Sequence, residues 1–465
     1  MANFQGIMKH RVYPSNRSAT STEWSYENGN PTIRFDVSGE ADLYLLSNTL
    51  RLNFEFEVND AQGALPDNDS FRTLGNAPVN ILTDSKIGAM GAIQSVQISS
   101  QTNVLYEDIQ HYNRLCTTLA KTNDFDDYAT SIGTSIAACG NEQAQKMLCN
   151  TRQFVSTPII SGMFLEGLSI PLGPAGRGIG GMVIQINLAQ PAASQFGSLP
   201  GALGSTYKII NPSISFSTAI PRGGVLPKIS AQSFKALSAY YDVLNSGDQT
   251  FQINLNHSQV LSVQSNTIPT KRLANISSNS MKTSYLLNAD AANPGQYKFA
   301  PIKRVTFMRG GLQFPLKYAI DEREQVNLDN AGDFITQGSG PTQLRRAFLS
   351  ASKTYATAER MLANNDTERR EALMYGFANT VNQAPLPDML PQFQPHADEP
   401  IGPVLAGFGV RYDMMGAGSG ASFIKQPLQV RVESGLNGVT SNSVFTFVLS
   451  SHTIVYQNGG AVVVN

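Results

Sequence analysis

The stretch from Pro301 to Ile320 constrains the fold most, because its apolar side chains follow a two-residue period. From Leu312 onward they occupy every second position, and the positions between them are polar, proline or alanine. This period is typical of a β-strand with one buried face. Gly310 and Gly311 precede the strand, and two glycines can adopt the positive φ angles of a tight turn. The sequence therefore predicts a β-hairpin with Arg309 at its rim.

The same alternation assigns the two faces of the second hairpin strand. Lys317 belongs to the outer face. Pro315 cannot donate a hydrogen bond to a neighbouring strand, so we expect this strand at a sheet edge or bulged at the proline. The inward-facing set is predicted to be Leu312, Phe314, Leu316, Tyr318 and Ile320.

Strand-like alternation extends over most of the chain. Residues 50–58 alternate for nine positions, with leucine, phenylalanine and valine on one face and arginine, asparagine and glutamate on the other. Shorter runs are separated by loops rich in glycine and proline, which is typical of a β-sandwich or barrel. The shorter predicted strands are 32–37, 79–82, 93–98, 164–170, 182–188, 207–216, 251–255, 260–263, 424–432, 444–449, 453–456 and 461–464.

Helical periodicity replaces the strand pattern in a few places. Apolar residues recur every three or four positions over residues 105–119, which predicts an amphipathic helix. A similar spacing predicts a helix over 344–362. Another is predicted over 367–381, after a capping Asn365 or Asp366. Helices of this kind would be insertions in a fold dominated by strands.

The order of the predicted elements divides the chain in two. A strand at 93–98 is followed by the helix at 105–119, and the hairpin is followed by the helix at 344–362. The strand pattern restarts after 221–227, and the two parts share organisation without a close sequence repeat. The expected divisions are an N-terminal arm at 1–30, a first β-rich domain at 31–225 and a second at 226–465.

The predicted arm is polar and irregular, and it carries a small cluster of basic side chains. A segment with so few apolar groups is not expected to fold alone, but it can become ordered on a partner surface. We therefore expect a mobile arm in which Lys9, Arg11 and Arg17 are candidate contacts for an anionic partner. The alternative is an ordinary disordered terminus without a partner.

The composition argues against a general attraction to polyanions. The 465 residues include 34 lysines and arginines against 35 acidic residues, giving a net charge of -1. Charged residues make up only 15%, against roughly 25% in a typical soluble domain. Amide and hydroxyl side chains fill the surface instead. Such a surface suits close-packed neighbours, although an ordinary large β protein could also have it.

The cysteines and the hydropathy pattern indicate folding in a reducing compartment. Cys116, Cys139 and Cys149 are too few for a disulfide framework and form no CxxC pair. The N-terminal residues lack the apolar core of a signal peptide, and no run approaches the roughly 18 apolar residues of a membrane span. We therefore expect synthesis and folding in a cytosol.

No motif for catalysis or for a cofactor is evident. The glycine-rich loop 171–181 leads into a predicted strand, whereas a phosphate-binding loop would precede a helix. There is no G-x-S-x-G motif, and Cys116 lies on an apolar stripe. No metal or cofactor is expected, because no metal-ligand spacing relates His10, His111, His257, His396 and His452.

Paired carboxylates deserve a separate test, because a glycoside hydrolase needs only two of them about 5–10 Å apart. The pair in the predicted strand 50–58 lies on its solvent face, and the other groups lie in charged loops or at a strand end. No aromatic platform for a sugar accompanies them. An enzyme is therefore not expected. The candidates are Glu55 with Glu57, Asp126 with Asp127, and Asp321 with Glu322 and Glu324.

This organisation resembles the double jelly-roll major capsid proteins of double-stranded DNA viruses, of the virophage and polinton-like type. The resemblance rests on two β-rich parts of short alternating strands with inserted helices, on the hairpin 309–320, and on the closing strands 444–456. It covers about residues 30–465 and contains no diagnostic motif. The implied fold class is all-β dominated, with two tandem jelly-roll β-barrels and inserted helices.

The resemblance also implies a function and a set of partners. A homotrimer would form a pseudo-hexagonal capsomer of an icosahedral virion shell, after synthesis in the host cytoplasm. Its partners would be other copies, neighbouring capsomers, and minor capsid or penton proteins. Termini in this family often lie beneath the capsomer, so Lys9, Arg11 and Arg17 would face an internal membrane, minor proteins or the genome. The resemblance implies neither catalysis nor a cofactor.

The sequence leaves other classes of protein possible. A minor capsid or vertex protein would combine a single jelly roll with an insertion domain. A receptor-binding spike would need shaft repeats or a coiled-coil stem, and neither is visible. A β-sandwich glycoside hydrolase is less favoured. Counting the sheets separates a single roll from a double one.

Overall fold

The three-dimensional structure of the chain is a computed structural model. Strands account for most of the ordered elements. The structure describes residues 4–17, 22–39, 41–46, 49–59, 88–116, 152–164, 169–174, 176–190, 206–228, 230–244, 248–269, 302–314, 320–321, 327–328, 334–335, 406–412, 420–434, 442–457 and 460–464.

The described strands of sheet I all belong to the first half of the chain. Its central path runs β8-β5-β11-β4-β9, and β1 and β2 pair with the long strand β11. Leu50, Leu52, Phe54 and Phe56 are buried as predicted, whereas Asn53, which was predicted on the solvent face, is also buried. The described strands of sheet I are β1 (Phe4–Val12), β2 (Glu23–Trp24), β4 (Tyr44–Leu45), β5 (Arg51–Asn59), β8 (Gln153–Pro158), β9 (Ile170–Pro171) and β11 (Thr206–Pro221).

Sheet II is shared by both halves of the chain. Its order is β20-β14-β22-β12-β7-β6-β10-β3, with β23 added to β22. The described strands are β3 (Thr32–Ser38), β6 (Ile93–Ser100), β7 (Leu105–Gln110), β10 (Gly181–Leu188), β12 (Ala231–Leu244), β14 (Val260–Pro269), β20 (Ala406–Arg411), β22 (Asn442–Gln457) and β23 (Gly460–Val464).

Sheet III belongs to the second half and contains the predicted hairpin. Its order is β13-β21-β15-β16, and β17 also pairs with β15. A separate pair of short strands follows it. The strands are β13 (Asp248–Ile253), β15 (Ile302–Arg309), β16 (Leu312–Gln313), β17 (Ile320–Asp321) and β21 (Leu428–Ser434) in sheet III, and β18 (Asn327–Leu328) and β19 (Phe334–Ile335) in the pair.

Two hydrophobic cores lie on opposite faces of strand β22. Phe445, Phe447 and Leu449 belong to the first core, which also contains side chains of sheet I. Val444 and Val448 belong to the second core, which contains side chains of sheet III. Successive side chains of a strand point to opposite faces. The run 444–450 is therefore buried throughout, as expected of a strand that is covered on both faces.

The hairpin is confirmed at its turn, but one face assignment is wrong. Gly310 and Gly311 have φ angles of 57° and 83°. Phe314 is half-buried against the second core, whereas Leu312 is 76% exposed and does not point inward. The reason is that Leu312 lies directly after the turn, beyond the end of the core. Leu316, like residues 315–319 as a group, lies outside the described residues.

The predicted helix at 105–119 is wrong over its first part. Residues 105–110 form β7, which pairs antiparallel with β6, and only residues 112–116 are helical within the described part. Residues 105 and 109 lie four positions apart, an even number, so one face of a strand accommodates them as well as one face of a helix. The predicted helices 344–362 and 367–381 lie outside the described residues.

Most of the other predicted strands are confirmed, with a few differences. The strand predicted over 164–170 is wrong at its start, because residues 162–164 form a 3-10 turn, and within the described part of that run only Ile170 lies in a strand, β9. The strand predicted from 424 begins at Leu428. The runs 444–449 and 453–456 belong to one strand, β22. Strand β12 was not predicted at all. The run 79–82 lies outside the described residues.

Candidate functional site at the seam between the two halves

The two halves of sheet II meet where β7 lies parallel to β12, with Asp108 opposite Ser238. The other strand pairings in the described part of the chain are antiparallel. A turn at His111, with a φ angle of 52°, ends β7. We call the contact of residues 105–116 with β12 and β22 the seam.

A buried carboxyl group, Glu107, joins three elements at the seam. Its Oε1 accepts hydrogen bonds from the backbone N–H of Gly162, at 2.8 Å, and of Leu237, at 2.5 Å. Its Oε2 accepts one from the hydroxyl of Ser161. Glu107 is 2% exposed, and burial raises its pKa to about 7, although the hydrogen bonds act in the opposite direction. This side chain therefore holds β7, the 3-10 turn and β12 together.

The close approach of the 3-10 turn to β12 requires a glycine. A Cβ atom on Gly162 would lie 2.6 Å from the carbonyl oxygen of Lys235 and 2.8 Å from the Cα atom of Ala236. Both atoms belong to the backbone, so no side-chain rotation could relieve the contact. Gly162 therefore allows its own N–H to reach the Glu107 carboxyl.

Two of the other ionisable side chains at the seam, His111 and Arg114, lie against Phe445. The His111 ring is T-shaped against Phe445, with 5.0 Å between the ring centroids. The Arg114 guanidinium lies 5.2 Å from the same ring centroid. Burial, and then the charge of Arg114, lower the pKa of His111 to about 4, and burial lowers the pKa of Arg114 to about 9. Near neutral pH the histidine is therefore neutral and the arginine charged.

The N-terminal segment is a strand, so the expectation of a mobile arm is wrong for residues 4–12. Strand β1 pairs antiparallel with β11, and His10 stacks on Phe216 with 5.2 Å between the ring centroids. Strand β11 has 16 residues, and β5 occupies its other edge. Strand β1 therefore pairs with the edge of β11 that β5 does not occupy. The composition of the N-terminal segment cannot predict these hydrogen bonds. Trp24 is also buried, at 1% exposure.

The basic candidates are held in different ways. Arg11 Nε donates a hydrogen bond to Ser213 Oγ at 3.2 Å, so its side chain lies along β11. Lys9 lies on β1 and Arg17 follows it, and both residues are exposed, as Arg11 is. The structure thus leaves all three cations accessible on the surface beside sheet I, with the Arg11 side chain fixed by its hydrogen bond.

The carboxylate pairs do not form a candidate catalytic site in the described residues. Arg152 lies 3.1 Å from Glu57 and 3.8 Å from Glu55, and the three side chains are partly exposed. This is a surface charge network. Asp321 is in β17. The candidates outside the described residues are Asp126, Asp127, Glu322 and Glu324.

The cysteines, the candidate metal ligands and the glycine-rich loop form no functional site within the described residues. Cys116 is fully buried, and burial raises the pKa of its thiol. Cys139, Cys149 and His396 lie outside the described residues. Within the described ranges, no three histidine, cysteine or acidic side chains are placed as a metal site requires. The helical segments there lack the length and hydropathy of a membrane span. The glycine-rich loop leads into strand β10, as predicted.

Sequence reasoning missed Glu107. The helical interpretation of residues 105–119 placed this side chain away from the apolar stripe, where solvent would surround it. In the strand, Glu107 lies opposite Ile98 of β6, within a sheet that continues on both sides of β7. A signal for its burial would have required knowledge of the partner β12, which is far away in the sequence.

Comparison with known proteins gives a clear result only at the level of structure. No protein-family model matches the chain, and no curated protein is similar to it in sequence. A chain of the Sputnik virophage has a TM-score of 0.54 at 10% identity, over 100% of this chain and 89% of that one. The Faustovirus major capsid protein has a TM-score of 0.54 at 8% identity, over 97% of this chain and 90% of that one. The mavirus major capsid protein has a TM-score of 0.50 at 10% identity, over 98% of this chain and 90% of that one.

These similarities establish the fold. The match extends over essentially the whole chain, and the two cores on opposite faces of β22 agree with two packed rolls. The chain is all-β dominated and has the double jelly-roll fold, as the sequence predicted. Its identity to each of these proteins is low, so their biological roles are not transferred by the comparison itself.

Proposed function

We propose that this protein is a major capsid protein that forms the shell of an icosahedral virus. The observation that carries the proposal is the match of the double jelly roll to virophage and Faustovirus capsid structures over nearly its full length. The role is structural, and the protein acts at the virion capsid after synthesis in the host cytoplasm. Its domains are a first roll within residues 31–225 and a second within 226–465.

The functional unit in this proposal is a homotrimer. Three double rolls would present six rolls around one axis and give the capsomer a pseudo-hexagonal outline, which suits the tiling of a shell. Closed symmetry is the usual outcome of specific self-association. The low fraction of charged residues, 15%, supports extensive contact with neighbouring copies, with minor capsid proteins and with penton proteins.

The oligomeric state provides the first test. We expect the purified protein to have the mass of three 50.2 kDa chains, about 150 kDa, in light scattering at micromolar concentration. Electron micrographs of the same sample should show particles with a pseudo-hexagonal outline. A monodisperse monomer with no larger species would contradict the capsomer proposal.

The alternatives receive less support from the structure. A minor capsid or vertex protein with a single roll and an insertion domain would not match double-roll proteins over 97–100% of its length. A β-sandwich glycoside hydrolase would need a pair of accessible carboxylates. The described pair, Glu55 and Glu57, is partly exposed but engaged by Arg152 in a surface charge network.

Lys9, Arg11 and Arg17 are proposed to contact an anionic partner beneath the capsomer, such as an internal membrane or the genome. All three residues are exposed, but the hydrogen bond to Ser213 holds the Arg11 side chain along β11, so Arg11 would contribute less. Each free cation near a charged surface contributes about 1 kcal/mol. The contact would therefore tether a partner weakly and depend on salt.

The tether is tested by removing the two free charges together. We expect Lys9→Gln with Arg17→Gln to keep its oligomeric state and to cosediment less with anionic vesicles or DNA at low salt. A matched control is Lys228→Gln with Lys425→Gln, which removes two exposed lysines elsewhere. Equal loss of binding in the two double variants would show that net charge matters and the N-terminal position does not. Deletion of residues 1–17 is unsuitable, because it would also remove β1 from sheet I.

A further inference from the structure

We infer that Glu107 is a proton-dependent latch between the two halves of the chain, closed when its carboxyl group is neutral and weakened when the group ionises. The geometry carries this inference. The carboxyl group is buried at the seam, and neutral donors from the 3-10 turn and from β12 hold it: the Ser161 hydroxyl and the amides of Gly162 and Leu237. Within the described residues, the structure gives Glu107 no ion pair.

Burial favours the neutral form of the Glu107 carboxyl. Ionisation would place a full charge in the interior without a counter-ion, which is unfavourable. The hydrogen bonds act in the opposite direction, because Ser161, Gly162 and Leu237 all donate to the carboxyl oxygens. The Ser161 hydroxyl oxygen in turn accepts the N–H of Met163, at 3.1 Å. Burial without a counter-ion is the larger of the two effects.

The surrounding ionisable groups do not supply that counter-ion at hydrogen-bond distance. Strand β6 and residues 161–164 contain no ionisable side chain. The stretch that carries Glu107 also carries Tyr106, Asp108, His111, Tyr112 and Arg114, and β12 carries Lys235, Tyr240, Tyr241 and Asp242. Desolvation is the first cause of the raised pKa of Glu107, and the hydrogen bonds from Ser161, Leu237 and Gly162 oppose it.

The direction of the pH effect follows from linkage. The pKa of Glu107 rises from its ordinary value of 4.5 to about 7 in the folded protein. The closed seam therefore binds a proton more tightly than the open seam does. Between these two values the closed seam loses stability as the pH rises. Above about pH 7 both states are ionised and the loss is complete.

His111 acts in the opposite direction and must be separated from Glu107. Its pKa is lowered from 6.5 to about 4 in the folded protein, so the closed seam gains stability as the pH rises between those values. The two effects partly cancel in the wild-type protein between about pH 5 and 6.5. A comparison of two variants at the same pH removes the contribution of His111.

Glu107→Gln makes this comparison, because glutamine imitates the protonated carboxyl. Its Oε1 can accept from both amides, and its Nε2 can donate to Ser161 Oγ. The measured quantity is hydrogen-exchange protection in peptides that contain Gly162 and Leu237, the two amide donors. We expect the ratio of variant to wild-type protection to rise by at least about tenfold between pH 5 and pH 8. The intrinsic exchange rate cancels in this ratio.

Glu57→Gln is the matched surface control, since Glu57 is partly exposed and bound by Arg152. The ratio of hydrogen-exchange protection in this variant to that in the wild type should stay constant with pH in the same peptides. A constant ratio for Glu107→Gln would overturn the latch, and it would leave the proposed capsid function untouched.

A second variant keeps the inference testable if Glu107→Gln does not fold. Ser161→Ala retains both amide donors and removes the hydroxyl that lowers the pKa of Glu107. The pH at which protection of the Leu237 peptide falls should therefore move upward relative to wild type. An unchanged or lower transition pH would contradict the assignment of that transition to Glu107.

Discussion

Phe307→Asp is expected to leave little or no soluble protein. Phe307 is 3% exposed and lies opposite Val430 in the second hydrophobic core. The substitution removes a large apolar side chain and places a carboxyl group among valines and aromatic rings, whether that group is charged or neutral. We expect a loss of more than about 4 kcal/mol in the free energy of unfolding. Soluble yield and the thermal midpoint of any recovered protein measure the effect.

Leu312→Asp on the same hairpin is the matched control. It makes the same type of change only five positions further along the chain, but Leu312 is 76% exposed and lies opposite Arg309. We expect yield close to that of wild type and a change within about 0.5 kcal/mol. Comparable losses in the two variants would show that the hairpin tip is covered in the folded protein, against the structure.

The contrast between these two residues shows which part of the fold could be predicted from the sequence. Strand and turn depend on local properties: the two-residue period, and the positive φ angles open to Gly310 and Gly311. Burial depends on where the core ends. Nothing in the local pattern distinguishes Leu312, beyond that limit, from Phe314, which packs against the core.

Strand pairing explains why β7 and β12 could not be predicted. Leu105 and Ile109 fit one face of a strand as well as one face of a helix, so the partner strand β6 decides between them. The segment 231–244 mixes polar and apolar residues without a clear alternation. Its identity as a strand becomes evident only through its long antiparallel pairing with β22.

The seam could not be predicted for the same reason. Its donors Gly162 and Leu237 are 55 and 130 residues from Glu107 in the sequence. The features that sequence reasoning did identify, such as the basic residues of the N-terminal segment, are visible in composition alone. Features that arise from contacts between distant strands require the folded structure.

Gly162→Ala is expected to destabilise the seam strongly. The added Cβ would lie 2.6 Å from the Lys235 carbonyl oxygen and 2.8 Å from the Cα of Ala236, so the 3-10 turn or β12 must move. Movement lengthens the hydrogen bond from the Gly162 N–H to Glu107, which leaves buried polar groups without good partners. We expect a loss of more than about 3 kcal/mol in the free energy of unfolding, measured by chemical denaturation.

Gly6→Ala is the control for the loss of backbone freedom that accompanies any such change. Gly6 lies in β1, and the nearest atom to an added Cβ is Ile220 Cδ1, at 3.9 Å. This variant should be as stable as wild type or up to about 1 kcal/mol more stable, because alanine restricts the unfolded chain. The difference between the two alanine variants then isolates the steric contact at the seam. If both are equally stable, the turn does not pack against β12 as closely as the structure shows, and the Glu107 contacts that depend on this approach would also have to be reconsidered.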